Sequence, residues 1–280
     1  MQLCLAQNRA QLQELGYDAL YPGRDDIPGG ELRLRLARRG MAAPDLVAEA
    51  IQHLRQHSPD PTRGLILSEE NIPGAMRPFF QGRFFPQAPQ RLAVLRAALD
   101  GIGGRLVRVV FVLRSYEALL TSFYRKHAED NPVPEFAEVA PRLCSFVNGW
   151  PRVIRHLRDV LAPEELCVLS YDQRGDSRDL LRLLLPDLAE CALSEPHRSV
   201  NLSPTDPALR ALQARYHAGA RLARAEWQEV IAEHAGDQTD LGLARFSPEQ
   251  AAGLQARYAA DLERIARMRG VRLLIGTEPA

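Results

Sequence analysis

Arg105 to Arg114, RLVRVVFVLR, is the richest β-branched run in the chain. Branching at Cβ stiffens χ1 and suits a pleated surface, so the run predicts a strand. Its apolar residues follow one another without strict alternation, which predicts helices on both faces and a central place in a sheet. A helical pattern from Ser115 to Ala128 follows directly, so the strand hands its carboxyl end to a helix.

Outward from this strand, the same alternation repeats. A helix at Pro44 to His57, a short apolar run at Gly64 to Ser68 and a helix at Gln90 to Leu99 precede it. Helices at Glu135 to Val147 and Pro151 to Leu161, a strand at Leu166 to Tyr171 and a helix at Arg178 to Leu185 follow it. Long helices at Pro207 to Glu226 and Pro248 to Met268 and a strand at Val271 to Ile275 complete the pattern, and Leu3 to Leu15 opens it as a helix. Strands separated by helices imply parallel crossovers, hence an α/β fold with a parallel sheet flanked by helices. We expect one domain over 1–280, with a helical carboxyl-terminal part at about 205–270.

Lys+Arg of 35 against Asp+Glu of 35 gives no formal net charge, which removes the attraction that nucleic-acid or anionic-membrane binding needs. Lys126 is the only lysine, and the arginine, alanine and proline usage matches a GC-rich, bacterial codon bias. Cys4, Cys144, Cys167 and Cys191 stand far apart, with neither metal-ligand spacing nor a disulfide framework, so buried free thiols are expected. No apolar stretch is long enough for a bilayer and no leader pattern opens the chain, so the expected location is the cytoplasm. A compact chain of 31.2 kDa exposes roughly 12,000 Å².

Ligands of open parallel sheets sit beyond the carboxyl ends of the strands. That rule selects Ser68 to Asn71, Arg114 to Ser115 and Tyr171 to Asp172. For Tyr171 and Asp172, packing and a turn are the simpler roles. Phe79, Phe80, Phe84 and Phe85, flanked by Arg77 and Arg83, either line an acceptor pocket or dock on the core. His53 and His57 share a helix face without a third ligand, which favours a solvated face over a metal pair. His127 lies on a different face from Ser122, and Arg198 is read as solvated.

The segment VVFVLRSYEALLTSFYRKH, Val109 to His127, resembles the 3′-phosphate-binding segment of sulfotransferases that use 3′-phosphoadenosine-5′-phosphosulfate. The resemblance implies that Arg114, ending the strand, and Ser122, eight residues on, hold the nucleotide's 3′-phosphate. A guanidinium fork and a hydroxyl on the first turns of a helix are suited to that anion. LILSEENI (65–72), LCVLSYDQ (166–173), SVNLSP (199–204) and the helix FSPEQAAGLQARYAADLERIA (246–266) are similar in order and placement. What this implies is a P-loop NTPase-like fold and sulfuryl transfer to a hydroxyl or amine of a small molecule or glycan, without metal. Glu70 is the candidate base, with capping or substrate hydrogen bonding as its plainer role.

The departure from the family is at the amino terminus, where this chain begins inside the helix that should follow a strand and a phosphosulfate-binding loop. Lys126 is in the wrong place to replace the lysine of that loop. The expectation is that Met1 is an internal methionine preceded by about a dozen to fifteen residues, one strand and one loop in length. Without them, residues 1–280 should show little or no transferase activity. The alternative is a non-catalytic member that binds adenosine 3′,5′-bisphosphate or a partner, and nucleotide kinase chemistry is a weaker third reading.

Overall fold

A computed structural model describes residues 1–24, 27–197 and 203–274. In chain order these form α1 (Gln2–Gln7), α2 (Arg9–Glu14), β1 (Tyr17–Leu20), α3 (Ala43–His57), β2 (Gly64–Leu67), α4 (Ala88–Gly101), β3 (Arg108–Leu113) and α5 (Tyr116–Ala128). They continue with α6 (Phe136–Cys144), α7 (Trp150–His156), β4 (Glu165–Ser170), α8 (Ser177–Leu184), α9 (Asp206–His217), α10 (Arg224–Glu233), α11 (Pro248–Ala266) and β5 (Arg272–Leu274). The fold is α/β, with two small parallel sheets flanked by helices. One sheet is β1-β2 and the other is β3-β4-β5.

β1 and β2 pair from Tyr17 opposite Gly64 to Leu20 opposite Leu67. β3 and β4 pair over their whole length, from Arg108 opposite Glu165 to Leu113 opposite Ser170. The period-two alternation of strands sorts the side chains into two cores. Leu20, Leu65 and Leu67, with Val109 and Phe111, face a large core that contains α4, α5 and α7. Ala19, Tyr21 and Ile66 face a smaller core made by α1, α2 and α8. The β1-β2 sheet therefore has a helical layer on both faces, and α8 also packs against β3.

Three expectations are corrected. The run quoted first is an edge strand, not a central one: in the order β3-β4-β5 the central place belongs to β4. β4 is buried from Leu166 to Ser170, whereas Arg108 to Val112 are only half-buried. Second, β1 was not foreseen, because Asp18 and Ala19 have weak strand propensity. Pairing with β2, and bonds to Asp18 from Arg63 Nε (2.9 Å) and Ser58 Oγ (2.8 Å), hold it. Third, the helix expected from Pro207 to Glu226 is two. Gly219, at φ +93°, ends α9, where its N–H donates to the carbonyl of Tyr216 and Ala220 N–H to that of Arg215.

The opening helix also breaks, at Asn8, whose buried amide exchanges two hydrogen bonds with the backbone of Ser194, at 2.9 and 2.7 Å. The aromatic loop docks on the core: Phe79, Phe84 and Phe85 are buried, and Phe84 stacks on Phe146 with centroids 5.0 Å apart. All four cysteines are free, Cys4 and Cys167 buried, Cys144 and Cys191 half-buried. His53 and His57 are not on a solvated face, since His53 Nε2 accepts the backbone N–H of Arg33 at 3.0 Å and ties the 31–35 segment down. No helix among the described residues is long and apolar enough to cross a membrane.

Candidate functional site

The carboxyl ends of β2, β3 and β4 open on one cleft of about 2360 Å³. Glu69 and Glu70 enter from β2, Arg114 from β3, Tyr171 and Arg174 from β4, and Ser122 and Lys126 from α5. The parallel crossovers account for this convergence, because each returns the chain to the same end of a sheet.

Arg114 is fixed at both its ends. Its backbone carbonyl accepts the indole N–H of Trp150 at 2.9 Å, and its Nη1 donates to Ser122 Oγ at 3.2 Å. Ser122 can meet it because Ser115 caps α5, accepting from Ala118 N–H at 3.3 Å, so the helix starts two residues after Arg114. The two residues singled out from the sequence thus form a donor pair in the cleft.

The Trp150 contact has its own support. Tyr116 OH accepts the backbone N–H of Trp150 at 2.7 Å and donates to Asp261 Oδ2 at 2.6 Å, all of it buried. Burial, then the Asp261 bond, push the Tyr116 hydroxyl far above the usual phenol range, so it stays a donor. Gly149 leaves the space this needs, since a Cβ there would fall 1.9 Å from Tyr116 Oη. A chain of contacts from α11 therefore reaches the arginine at the end of β3.

Tyr171 opens a short helical turn past β4 and packs two arginines on its ring. It is 37% exposed, and the guanidinium carbons of Arg114 and Arg174 lie over its ring at 4.6 and 4.2 Å from the centroid. Arg174 also donates to Tyr171 Oη at 3.3 Å. Among the described residues neither arginine is paired with a carboxylate, so two cations share one ring with no counter-charge in contact. Sequence reasoning missed Arg174; its signal was its place just after a strand end, hidden among so many arginines.

The acidic pair divides its roles by burial. Glu69, with its side chain 10% exposed, accepts the Asn71 N–H at 2.8 Å and an Arg24 bond at 3.0 Å, which is the capping role. Glu70 is 66% exposed on the cleft wall and pairs with Arg24 Nη1 at 2.8 Å. Lys126 lines the cleft too, its ammonium held by Glu129 at 2.6 Å. His127 turns away from the cleft onto Phe80 and Phe123, and burial lowers its pKa. Among the described residues no group of His, Cys, Asp and Glu is placed to hold a metal ion. Arg198 and most of the 199–204 segment lie outside the described residues.

The chain matches no protein-family model, and comparison with curated proteins and with solved structures finds no match.

Proposed function

We propose that the cleft binds a 3′-phosphorylated adenine nucleotide and that the protein is a sulfotransferase-like enzyme using 3′-phosphoadenosine-5′-phosphosulfate. The observation that carries this reading is the bond between Arg114 and Ser122, with Arg174 close by and, among the described residues, no carboxylate on either cation. Two guanidiniums over one ring repel each other in a partly desolvated cleft, and a dianion between them relieves that cost. The arginine fork would bind two phosphate oxygens and the Ser122 hydroxyl a third.

In the transfer step, the bond from sulfur to the 5′-phosphate oxygen breaks as the acceptor oxygen or nitrogen bonds to sulfur. The acceptor's proton passes to the Glu70 carboxylate, and adenosine 3′,5′-bisphosphate leaves. Arg24 orients Glu70 at the cleft wall. Stabilisation of charge on the leaving phosphate requires donors beyond Arg114 and Ser122, and without them the cleft binds nucleotide but transfers slowly.

Calorimetric titration with adenosine 3′,5′-bisphosphate and with adenosine 5′-monophosphate tests the reading. Charge-assisted bonds are worth about 1.5–3 kcal/mol, so Arg114→Ala should weaken the bisphosphate roughly 10- to 150-fold and leave the monophosphate nearly unaffected. Ser122→Ala should act in the same direction and less. If the two nucleotides bind alike, or if Arg114→Ala changes neither, the 3′-phosphate role is wrong. Turnover is a separate readout: bisphosphate binding with no sulfuryl transfer would favour a non-catalytic nucleotide binder.

A further inference from the structure

A second cavity, of about 940 Å³, opens between α3 and α4 and shares no lining residue with the cleft. Leu46, Val47 and Ile51 of α3 and Val94 of α4 line it, with Ala93 and Ala97 exposed beside them. The two helices run in the same direction. Ala43 and Pro44 share the cavity with Gln87 and Gln90 where both helices begin. Toward the other end Ile51 meets Gly101, where a Cβ would fall 2.3 Å from Ile51 Cδ1, and Arg55 Nη2 donates to the Gly101 carbonyl at 2.8 Å.

The polar lining gathers where the helices begin. Arg38 stands before α3, Arg83 before α4, and Gln87 and Gln90 are the other polar residues on the wall. Among the described residues no Asp or Glu lines this cavity, and neither arginine is paired with a carboxylate. Arg38 Nη1 meets the thioether of Met41 at 3.8 Å, a weak acceptor, and the nearby Glu49 is taken by Arg35 at 2.9 Å. Arg83 is presented by a fixed turn: its N–H donates to the Pro78 carbonyl at 3.1 Å, and the aromatic rings that follow it are buried. Phe85 holds φ +40° there, a strained value for a residue other than glycine, with its ring packed on Phe79 and Trp150.

We propose that this cavity binds a single-chain amphiphile with an oxyanion head, the head at Arg38 and Arg83 and the tail running along α3 and α4 toward Ile51 and Ala97. Charge complementarity names the head, because guanidinium groups form planar, charge-assisted bonds to carboxylate or phosphate oxygens and the two glutamine amides add neutral donors. The remaining wall names the tail, which gains by burial and asks for no hydrogen bond. From Gln87 to Ala97 α4 rises about 15 Å, the reach of a chain of roughly twelve carbons. An extended peptide would leave its backbone groups unbonded along such a wall. A second copy seated on the same face brings no counter-charge, since among the described residues no acid lines it. This inference does not depend on the nucleotide reading.

Titration calorimetry with dodecanoate, dodecyl phosphate and dodecanol, each below its micellar concentration, tests the proposal. The two anions should bind saturably at one equivalent, and the alcohol about tenfold more weakly or worse. Arg38→Ala and Arg83→Ala, both at exposed positions, should each weaken the anions about tenfold and leave the alcohol unchanged. Ala93→Trp fills the cavity from an exposed position, so it should abolish binding of all three while the urea midpoint and the affinity for adenosine 3′,5′-bisphosphate stay at wild-type values. Ala97→Trp should do the same. The proposal is overturned by the absence of saturable binding, by equal affinity for alcohol and anion, or by binding that survives Ala93→Trp and is lost in Val110→Arg, which charges the cleft instead. Protein that sediments with phosphatidylglycerol vesicles but ignores free dodecanoate would assign the face to a membrane, and a dimer that Ala93→Trp dissociates would assign it to a second copy; either result overturns the proposal as well.

Discussion

Arg114 owes its position to residues far away in sequence, and the dependence is measurable. Asp261 sits on α11, yet it holds Tyr116, which holds Trp150, which holds the Arg114 carbonyl. Asp261→Ala leaves a buried phenol donor unpaired, which costs about 1–3 kcal/mol of stability. It should also weaken adenosine 3′,5′-bisphosphate severalfold, although Asp261 does not touch the cleft cations. A stability loss measured by urea unfolding with unchanged nucleotide affinity would show that the contact chain supports only the core. Gly149→Ala is the harsher variant, because its Cβ has nowhere to go. Arg114 and Ser122 were singled out in the sequence by the resemblance of their segment to a known one; the Tyr171 and Arg174 contribution was not, because ring stacking between loop residues leaves no periodic mark.

Among the helices, α9 shows how an element depends on a charge. Asp206 is its first residue, and its carboxylate accepts from Arg125 of α5 and from the backbone N–H groups of Leu241 (3.0 Å) and Leu243 (3.1 Å). Burial alone would raise its pKa, but the Arg125 bond and the two N–H bonds outweigh burial and hold it below the usual carboxylate range. The folded state thus binds the Asp206 proton less tightly than the unfolded state does. Its stabilisation is complete above the ordinary aspartate pKa and is lost as pH falls through the depressed folded value. Asp206→Asn should cost about 3 kcal/mol at pH 7 by leaving Arg125 without its partner, and the difference from wild type should shrink as pH approaches 3. Denaturant midpoints across that range check the sign. The starts of α5, α9 and α11 carry a local signal, because the capping residues Ser115, Thr205 and Ser247 stand directly before them. The split between α9 and α10 was not, since one glycine inside a helical pattern is compatible with either outcome.

At the scale of the whole molecule, the consequence of two separate sheets is apolar surface open to small probes. Anilinonaphthalenesulfonate should bind native residues 1–280 with enhanced fluorescence, and Val110→Arg, which places a charge on the cleft wall, should reduce it. An unenhanced signal from the native protein would mean that the cleft closes in solution. The edge position of β3 is the largest departure from the sequence reading. Its apolar, β-branched composition is that of an interior strand, so the reading of the residues was physically sound while the place beside them is open.

The sequence by itself determined the class of fold, because the alternation of apolar runs with amphipathic helices permits little besides parallel crossovers. It also located Arg114 and Glu70 just past strand ends and Ser122 on the helix that follows β3. Only the tertiary structure decided which strands touch, and it placed β3 at an edge and brought Tyr171 and Arg174 to Arg114. Strand order and loop contacts depend on packing between segments far apart in the chain, and local propensity carries no information about partners at that distance.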